Sequence, residues 1–486
     1  MVKVSDPTMF DDFQTNGLWS FSEDMDKSYS GTLNYDANDG KFTLTLYSSE
    51  IFESLESDSS FITRFHDKFS LFGMSYKREF VHLINCSVIK SSSSQLNKIV
   101  ISCNYAIFGP DFFIDTSQEK ISKVHFGFLG LDEWIQLPIW NIKNHNEITL
   151  NEPSFKEYKL SSIKAILKEN YSRRDASNSK KLESNSEIYY TLDFDSPQSL
   201  EEIEGTIFKI VQFFYFLFSV NLPIKFIVFN YGFYNFPNTK GEVVEIPNKY
   251  RVYHAQISPI VNKSFKYNRK IKYSAVSPHL EPMLNNWIND YAKLKSVIQT
   301  FVGDLQMSSF VENQFLNACR NLEVLHRVLY QINPIMPEGL ENARLELLGI
   351  IEKYPPEIEK HFESRINFYE GKTLGNRVKE LISKLPPEFS EKIISFENKS
   401  SSKSKKKFIA AVTQTRNYIT HGNTNKEQYP VSLEGVDLFI SSRILNLLTE
   451  YFIFTHIGMD QKLILEDLSN NERYWIVFNK KLSNQS

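Results

Sequence analysis

The sequence predicts an α+β, multidomain fold, with a β-rich N-terminal region followed by an all-α helical bundle. Three observations carry this. Phe42, Leu44 and Leu46 alternate with Lys41, Thr43 and Thr45 behind an Asp39-Gly40 turn signal, the period of a half-buried strand. Beyond Val311, the residues Phe315, Ala318, Leu322, Leu325 and Leu329 recur at helical spacing. The length, 486 residues, is that of two or three domains.

Taken in order, residues 30 to 48 read as a hairpin, with Gly31-Thr32-Leu33 before the turn. Further strands are expected at Phe80–Val88, Lys98–Tyr105, Val124–Phe128, Ile188–Phe194 and Lys225–Phe229, with turn clusters at Ser91–Ser94, Gly109-Pro110 and Asn151–Pro153. Residues 1–155 are therefore expected to form a sandwich or barrel-like domain. The 39 Phe and 24 Tyr suit sheet packing, so they are not read as a nucleobase-stacking surface. Residues 156–300 mix types. A polar loop is expected over 172–187, then an aromatic helix over 201–220, then a connecting helix over 283–305 through Leu284, Trp287, Ile288, Tyr291, Leu294, Val297 and Ile298. The apolar run Ile207–Val220 contains Lys209 and Gln212 and falls short of the about 20 residues a membrane span requires. Residues 301–465 read as helical, broken at Pro355-Pro356 and Pro386-Pro387 and ending in a long run from Val431 to Ile457 before Gly458. Residues 466–486 read as a C-terminal tail.

Composition narrows the function classes. A net charge of −3 means that a nucleic acid would need a local basic patch. Cys86, Cys103 and Cys319 form no CxxC and leave one unpaired, which argues against a disulfide scaffold and against zinc and fits a reducing cytoplasm. Asp6, Asp11 and Asp12 without a long apolar core argue against a signal peptide. There is no Gly-rich phosphate loop, HExxH or GxSxG, so neither a metal nor a cofactor is expected.

The segment Arg416-Asn417-Tyr418-Ile419-Thr420-His421-Gly422 carries the chemistry. A helix is predicted there, because Phe408, Val412, Thr415 and Ile419 fall on one stripe. Asn417 and His421 lie on the opposite face, Arg416 at the stripe's edge, and Gly422 is a natural stop. A guanidinium to hold phosphate and an imidazole to move protons make a ribonuclease-like pair. The plainer reading is a basic last turn that offsets the helix dipole. Arg320, Glu323 and Arg327 share a flank, as a surface ladder or with Glu323 orienting the Arg or His. Lys403, Lys405, Lys406 and Lys407 stand in a Ser-rich tract from Glu397, either a solvated loop or a loop that binds RNA phosphates.

Over residues 305 to 460 the chain resembles the HEPN superfamily, and more narrowly the ApeA-type HEPN proteins of anti-phage defence. Arg416, Asn417 and His421 match its Arg-Asn…His motif. Phe315–Arg327 resembles its first long helix, Thr373–Leu381 its middle helix and Val431–Ile457 its last, while Gly17-Leu18-Trp19 followed by Gly31-Thr32-Leu33 resembles the opening of the ApeA N-terminal region. The resemblance implies a metal-independent endoribonuclease, with transfer RNA as one substrate it allows. His421 would act as general base or acid, Arg416 would hold the scissile phosphate and Asn417 would position them. The RNA 2′-hydroxyl would attack, leaving a 2′,3′-cyclic phosphate and a 5′-hydroxyl. It also implies a homodimer or higher even-numbered oligomer that stops growth of infected cells (abortive infection). The N-terminal region, residues 1 to about 300, is too large for a linker and shows no catalytic motif, so it is expected to sense a phage-derived trigger, the plainer alternative being that it binds RNA or stabilises the dimer. The alternative is a non-catalytic HEPN adaptor that binds nucleotides or a partner.

Overall fold

The computed structural model describes residues 7–47, 68–92, 98–113, 120–136, 140–144, 147–150, 155–178, 181–219, 222–237, 242–256, 271–306, 309–330, 338–367, 372–397, 399–421 and 426–482. The expected turn clusters at Ser91–Ser94 and Asn151–Pro153 lie partly or wholly outside them, as does the Gly422 stop. The chain divides into two compact units, the first of residues 1–267 and 272–288, the second of 268–271 and 289–486.

The first unit is built on an antiparallel sheet. Strands β1 (Phe13–Ser20), β2 (Tyr29–Asp36), β3 (Lys41–Tyr47), β4 (Phe69–Ser75), β5 (Phe80–Ser92) and β6 (Lys98–Cys103) follow the order β5-β4-β1-β2-β3-β6. Pairing of β5 with β6, Ser87 opposite Ser102, closes these six into a barrel. The expected hairpin is β2–β3, with Asp36 opposite Lys41 and Gly40 at φ +60° in the turn. Alternation puts Leu33, Phe42, Leu44 and Leu46 in the core. Gly73 is required where it stands, because a Cβ there would lie 2.3 Å from the Trp19 ring.

The sheet continues past the barrel. Strands β7 (Tyr105–Gly109), β8 (Ile121–Phe128), β11 (Glu157–Leu160), β12 (Ala165–Asn178), β13 (Lys181–Gln198), β14 (Ile224–Pro237) and β15 (Val243–His254) add the order β11-β12-β13-β8-β14-β15-β7 to β5, while β9 (Trp140–Asn144) and β10 (Glu147–Leu150) pair separately. Strands from both sides of residue 155 thus share one sheet. The single strand expected at Lys98–Tyr105 is broken at Asn104. Before the break the chain pairs with β3 and β5; after it, with β5 and β15. The polar segment 172–187, expected as a loop, lies in the long β12–β13 hairpin, registered to Asn178 opposite Lys181. Ladder hydrogen bonds come from the backbone, so a polar sequence can hold a strand without apolar alternation. The aromatic helix is α1 (Leu200–Phe218), started by a capping box in which Ser199 and Glu202 bond each other's backbone N–H.

Helix α2 (Leu280–Gln306) spans the division. Its first turns bury Leu284 and Trp287, whose Nε1 donates to Lys209 O at 2.9 Å. Its later turns bury Leu294, Val297 and Phe301 in the second unit. That unit is helical: α3 (Val311–Tyr330), α4 (Glu338–Ile351), α5 (Pro356–Asn367), α6 (Leu374–Ser383), α7 (Pro387–Ile393), α8 (Ser401–His421), α9 (Gly435–His456) and α10 (Gln461–Asn470). Helix α3 packs against α6, α8 and α9. Helix α9 is buried along most of its length, as an all-round apolar helix must be. Where a tail was read from residue 466, the bundle continues. Leu468, Tyr474 and Val477 are buried, and Leu482 bridges to Phe396. Among the described residues, no helix is long and apolar enough to cross a membrane.

Candidate active site

Helix α8 has the predicted stripe. Phe408, Ala411, Val412 and Thr415 are buried, and Ile419 is half-buried where the stripe runs out near the helix end. Thr415 does more than fill space. Its hydroxyl donates to Ala411 O at 2.7 Å and accepts from Leu433 N at 2.8 Å, while Gln414 Oε1 accepts from Val431 N at 3.1 Å. With the Tyr418–Tyr429 ring contact at 5.9 Å, these bonds pin the chain entering α9 along the end of α8.

Arg416 and Asn417 are half-buried, closer in than an outward-facing pair, and His421 is exposed. Arg416 Nη1 donates to Asn417 Oδ1 at 3.2 Å, so Asn417 steadies the guanidinium. His421 makes no hydrogen bond among the described residues. His421 follows Arg416 by five positions, roughly 140° around the axis and about 7–8 Å along it. The two therefore flank the helix end and do not share a face; a phosphate that met both would straddle it.

Glu323, on the facing helix α3, is half-buried. Burial pushes the neighbouring Cys319 thiol up, Glu323 pushes it further and Arg416 opposes the rise, so both charges act on one spot. Among the described residues, neither a surface ladder with Arg320 and Arg327 nor a direct bond from Glu323 to the Arg416–His421 group is seen.

The lysine tract is not a loop. Lys403, Lys405, Lys406 and Lys407 occupy the first two turns of α8. Ser404 is buried and accepts from Phe396 N at 3.3 Å, and Lys407 lies 5.0 Å over the Phe396 ring, so packing overrides the dipole penalty of cations at a helix N-terminus. Lys403 is roughly 27 Å along the axis from His421. Within one subunit these lysines can meet RNA only several nucleotides from a phosphate held at the other end.

A second polar cluster was missed. His326 on α3 is fully buried. Its Nε2 donates to Glu380 Oε2 at 3.0 Å, and Arg377 Nη1 lies 3.2 Å from its Nδ1. Arg377 Nε donates to Lys372 O at 2.6 Å, and Lys372 pairs with Glu380. Burial holds the His326 pKa below its ordinary value, and Lys372 and His326 hold Glu380 low. A neutral imidazole with its proton on Nε2 fits both contacts. The legible signal was that His326 follows Leu325 on the buried stripe. His456 also has a specific partner, Asp290 Oδ2 at 2.9 Å. No group of three or more His, Cys, Asp or Glu among the described residues could hold a metal ion.

Two family models match the chain. One described as ApeA N-terminal domain 1 matches residues 14–287. One described as Apea-like HEPN matches residues 316–463, the span that holds Glu323, the lysine tract and the Arg416–His421 group. No curated protein and no solved structure matches significantly.

Proposed function

The chain belongs to the ApeA family, with an Apea-like HEPN domain, and on that premise we propose that it is an endoribonuclease of anti-phage defence acting through Arg416, Asn417 and His421. The observation that carries the reading is the disposition of this group. Arg416 is steadied by Asn417 and His421 is exposed with no hydrogen-bond partner among the described residues, at the end of a helix whose other side is locked by Thr415 and Gln414. Groups held this way are available to a substrate.

In the proposed reaction an imidazole takes the proton from the RNA 2′-hydroxyl, and the 2′-oxygen attacks the adjacent phosphorus. The P–O5′ bond breaks, leaving a 2′,3′-cyclic phosphate and a 5′-hydroxyl that receives a proton. Arg416 offsets charge on the pentacovalent phosphorane. None of these steps calls for a metal. One His421 per chain supports pairing of two copies, one His421 acting as base and the other as acid, in a homodimer or higher even-numbered assembly. Transfer RNA is a substrate this chemistry accepts. The first unit is read as the sensor of a phage component that holds the HEPN pair less active until triggered.

The test is incubation of the purified chain with total RNA, with and without EDTA, followed by end mapping. Chelation-insensitive cleavage with cyclic phosphate ends is expected, and it should be lost in His421→Ala. A folded His421→Ala protein that cuts RNA as fast as wild type would overturn the assignment; nucleotide binding without any cleavage would favour the adaptor reading.

A further inference from the structure

Exposed apolar side chains are not scattered evenly over this chain. Of the nineteen large ones exposed among the described residues, seven lie between Leu340 and Phe362, on α4, α5 and the turn that joins them. Single exposed apolar residues need no explanation, but a concentration of this kind marks a surface that another surface covers. Other helices of the same unit behave differently. Helix α3 buries Phe315, Ala318, Leu322 and Leu325, whereas among the described residues α4 buries Ile351 alone.

Spacing shows which face of α4 is bare. Leu340, Ala343, Leu347 and Ile350 follow one another by three, four and three positions. At about 100° per residue they fall within one stripe about 80° wide, the a/d spacing of a coiled-coil seam. All four are exposed, Leu340, Leu347 and Ile350 by 47%, 49% and 46%. On one flank of the stripe Ile351 is buried and Leu348 half-buried, and α4 packs against α5. The other flank carries Glu346 and Lys353, both exposed and neither ion-paired among the described residues. Lys353 follows the helix end but keeps this flank, because Glu352 N donates to Leu348 O at 3.0 Å and Lys353 N to Ile350 O at 3.3 Å, which carries the turn on. Leu345 lies on the far side and takes no part.

We infer that this stripe is a contact between two copies of the chain, in which the α4 helices pack antiparallel about a two-fold axis with Leu347 of each against Ile350 of the other. Charge selects both the occupant and the arrangement. An acid and a base seven positions apart on one flank complement themselves across a two-fold axis: Glu346 of each copy stands beside Lys353 of the other. A shift of one heptad, with Leu347 against Ala343, would set Glu346 against Glu346. A parallel pair would leave Glu346 beside apolar Ile351. The face lies on a helix other than the one that carries Arg416 and His421, so the inference does not rest on the RNA-cleaving reading.

The experiment is the mass of the full chain in solution, by sedimentation equilibrium at micromolar concentration. Wild type is expected as a dimer or a larger even-numbered assembly. Leu347→Glu/Ile350→Glu is expected at half that mass or less, because like charges would face each other across the seam. Glu346→Lys and Lys353→Glu should each raise the dissociation constant about 10-fold, two ion pairs giving way to two like-charge contacts, and the double reversal Glu346→Lys/Lys353→Glu should restore it. The reversals change only exposed side chains, so they decide the matter should the seam variant fail to fold. The proposal fails if the seam variant keeps the wild-type mass, if the single reversals leave the dissociation constant unchanged, or if the double reversal assembles no better than they do. A monomeric wild type would leave the stripe to a different protein and equally overturn it. A mass that falls in His421→Ala but not in the seam variant would move the contact to the end of α8.

Discussion

The end of α8 and the α3–α6 interface each gather an arginine and a histidine, yet they handle them in opposite ways. At the interface, both nitrogens of buried His326 have a partner, and Arg377, Lys372 and Glu380 close the network. At the end of α8, Arg416 has one amide neighbour and His421 stands exposed. The difference teaches how to sort polar residues in this bundle. A network whose donors and acceptors are all matched specifies packing, because an unmatched buried group is costly. A group with a single internal bond among the described residues, on a helix locked in place, has hydrogen-bonding capacity left for a ligand.

The contrast can be broken most directly at the exposed group. His421→Ala and Arg416→Ala should each lower RNA cleavage at least about 10²-fold while unfolding as wild type does, because neither lies on the buried stripe. Cleavage rates and urea unfolding curves on the same samples check this; an equally large stability loss would make the group structural.

Arg377→Ala should do the reverse. It leaves Nδ1 of buried His326 without its donor, while Glu380 keeps His326 and Lys372, and should cost about 1–3 kcal/mol of stability, with cleavage per folded molecule nearly unchanged. If the variant is stable but inactive, the two clusters have exchanged roles.

Acid sharpens the comparison. The folded-state pKa of His326 lies below its unfolded value, so its contribution is complete above about pH 6.5 and is lost as pH falls below that. One proton bounds the effect at about 1.4 kcal/mol per pH unit. His326→Gln keeps a donor and an acceptor but cannot titrate. Its urea midpoint should therefore fall less than that of wild type between pH 7 and 5.5, and parallel declines would exclude His326 as the sensitive group.

The smallest effect is expected at the far end of α8. Lys405, Lys406 and Lys407 changed together to Ala should weaken RNA binding a few-fold and flatten its salt dependence, leaving the rate at saturating RNA unchanged. An unaltered salt slope would leave these residues with no role in RNA binding.

Much of this was legible because it is local. The β2–β3 hairpin follows from alternation plus Asp39-Gly40, and the α8 stripe from the spacing of Phe408, Val412 and Thr415. The lysine tract misled because charge and serine content suggest a loop, while Ser404 and Lys407 gain contacts with Phe396 that lie outside any local window. The polar β12–β13 arm misled for the same reason: its ladder partners are not encoded in its own polarity.

Sequence alone determined the two element types, their order along the chain, and a helix end carrying Arg416, Asn417 and His421, since backbone period and residue spacing are properties of neighbours. Tertiary structure alone decided the rest. Closure of the barrel by Ser87 opposite Ser102, the Arg251–Glu79 pair, and the burial of His326 against Arg377 and Glu380 all join residues far apart in sequence. Such contacts depend on which surfaces pack together, and no short-range pattern records that choice.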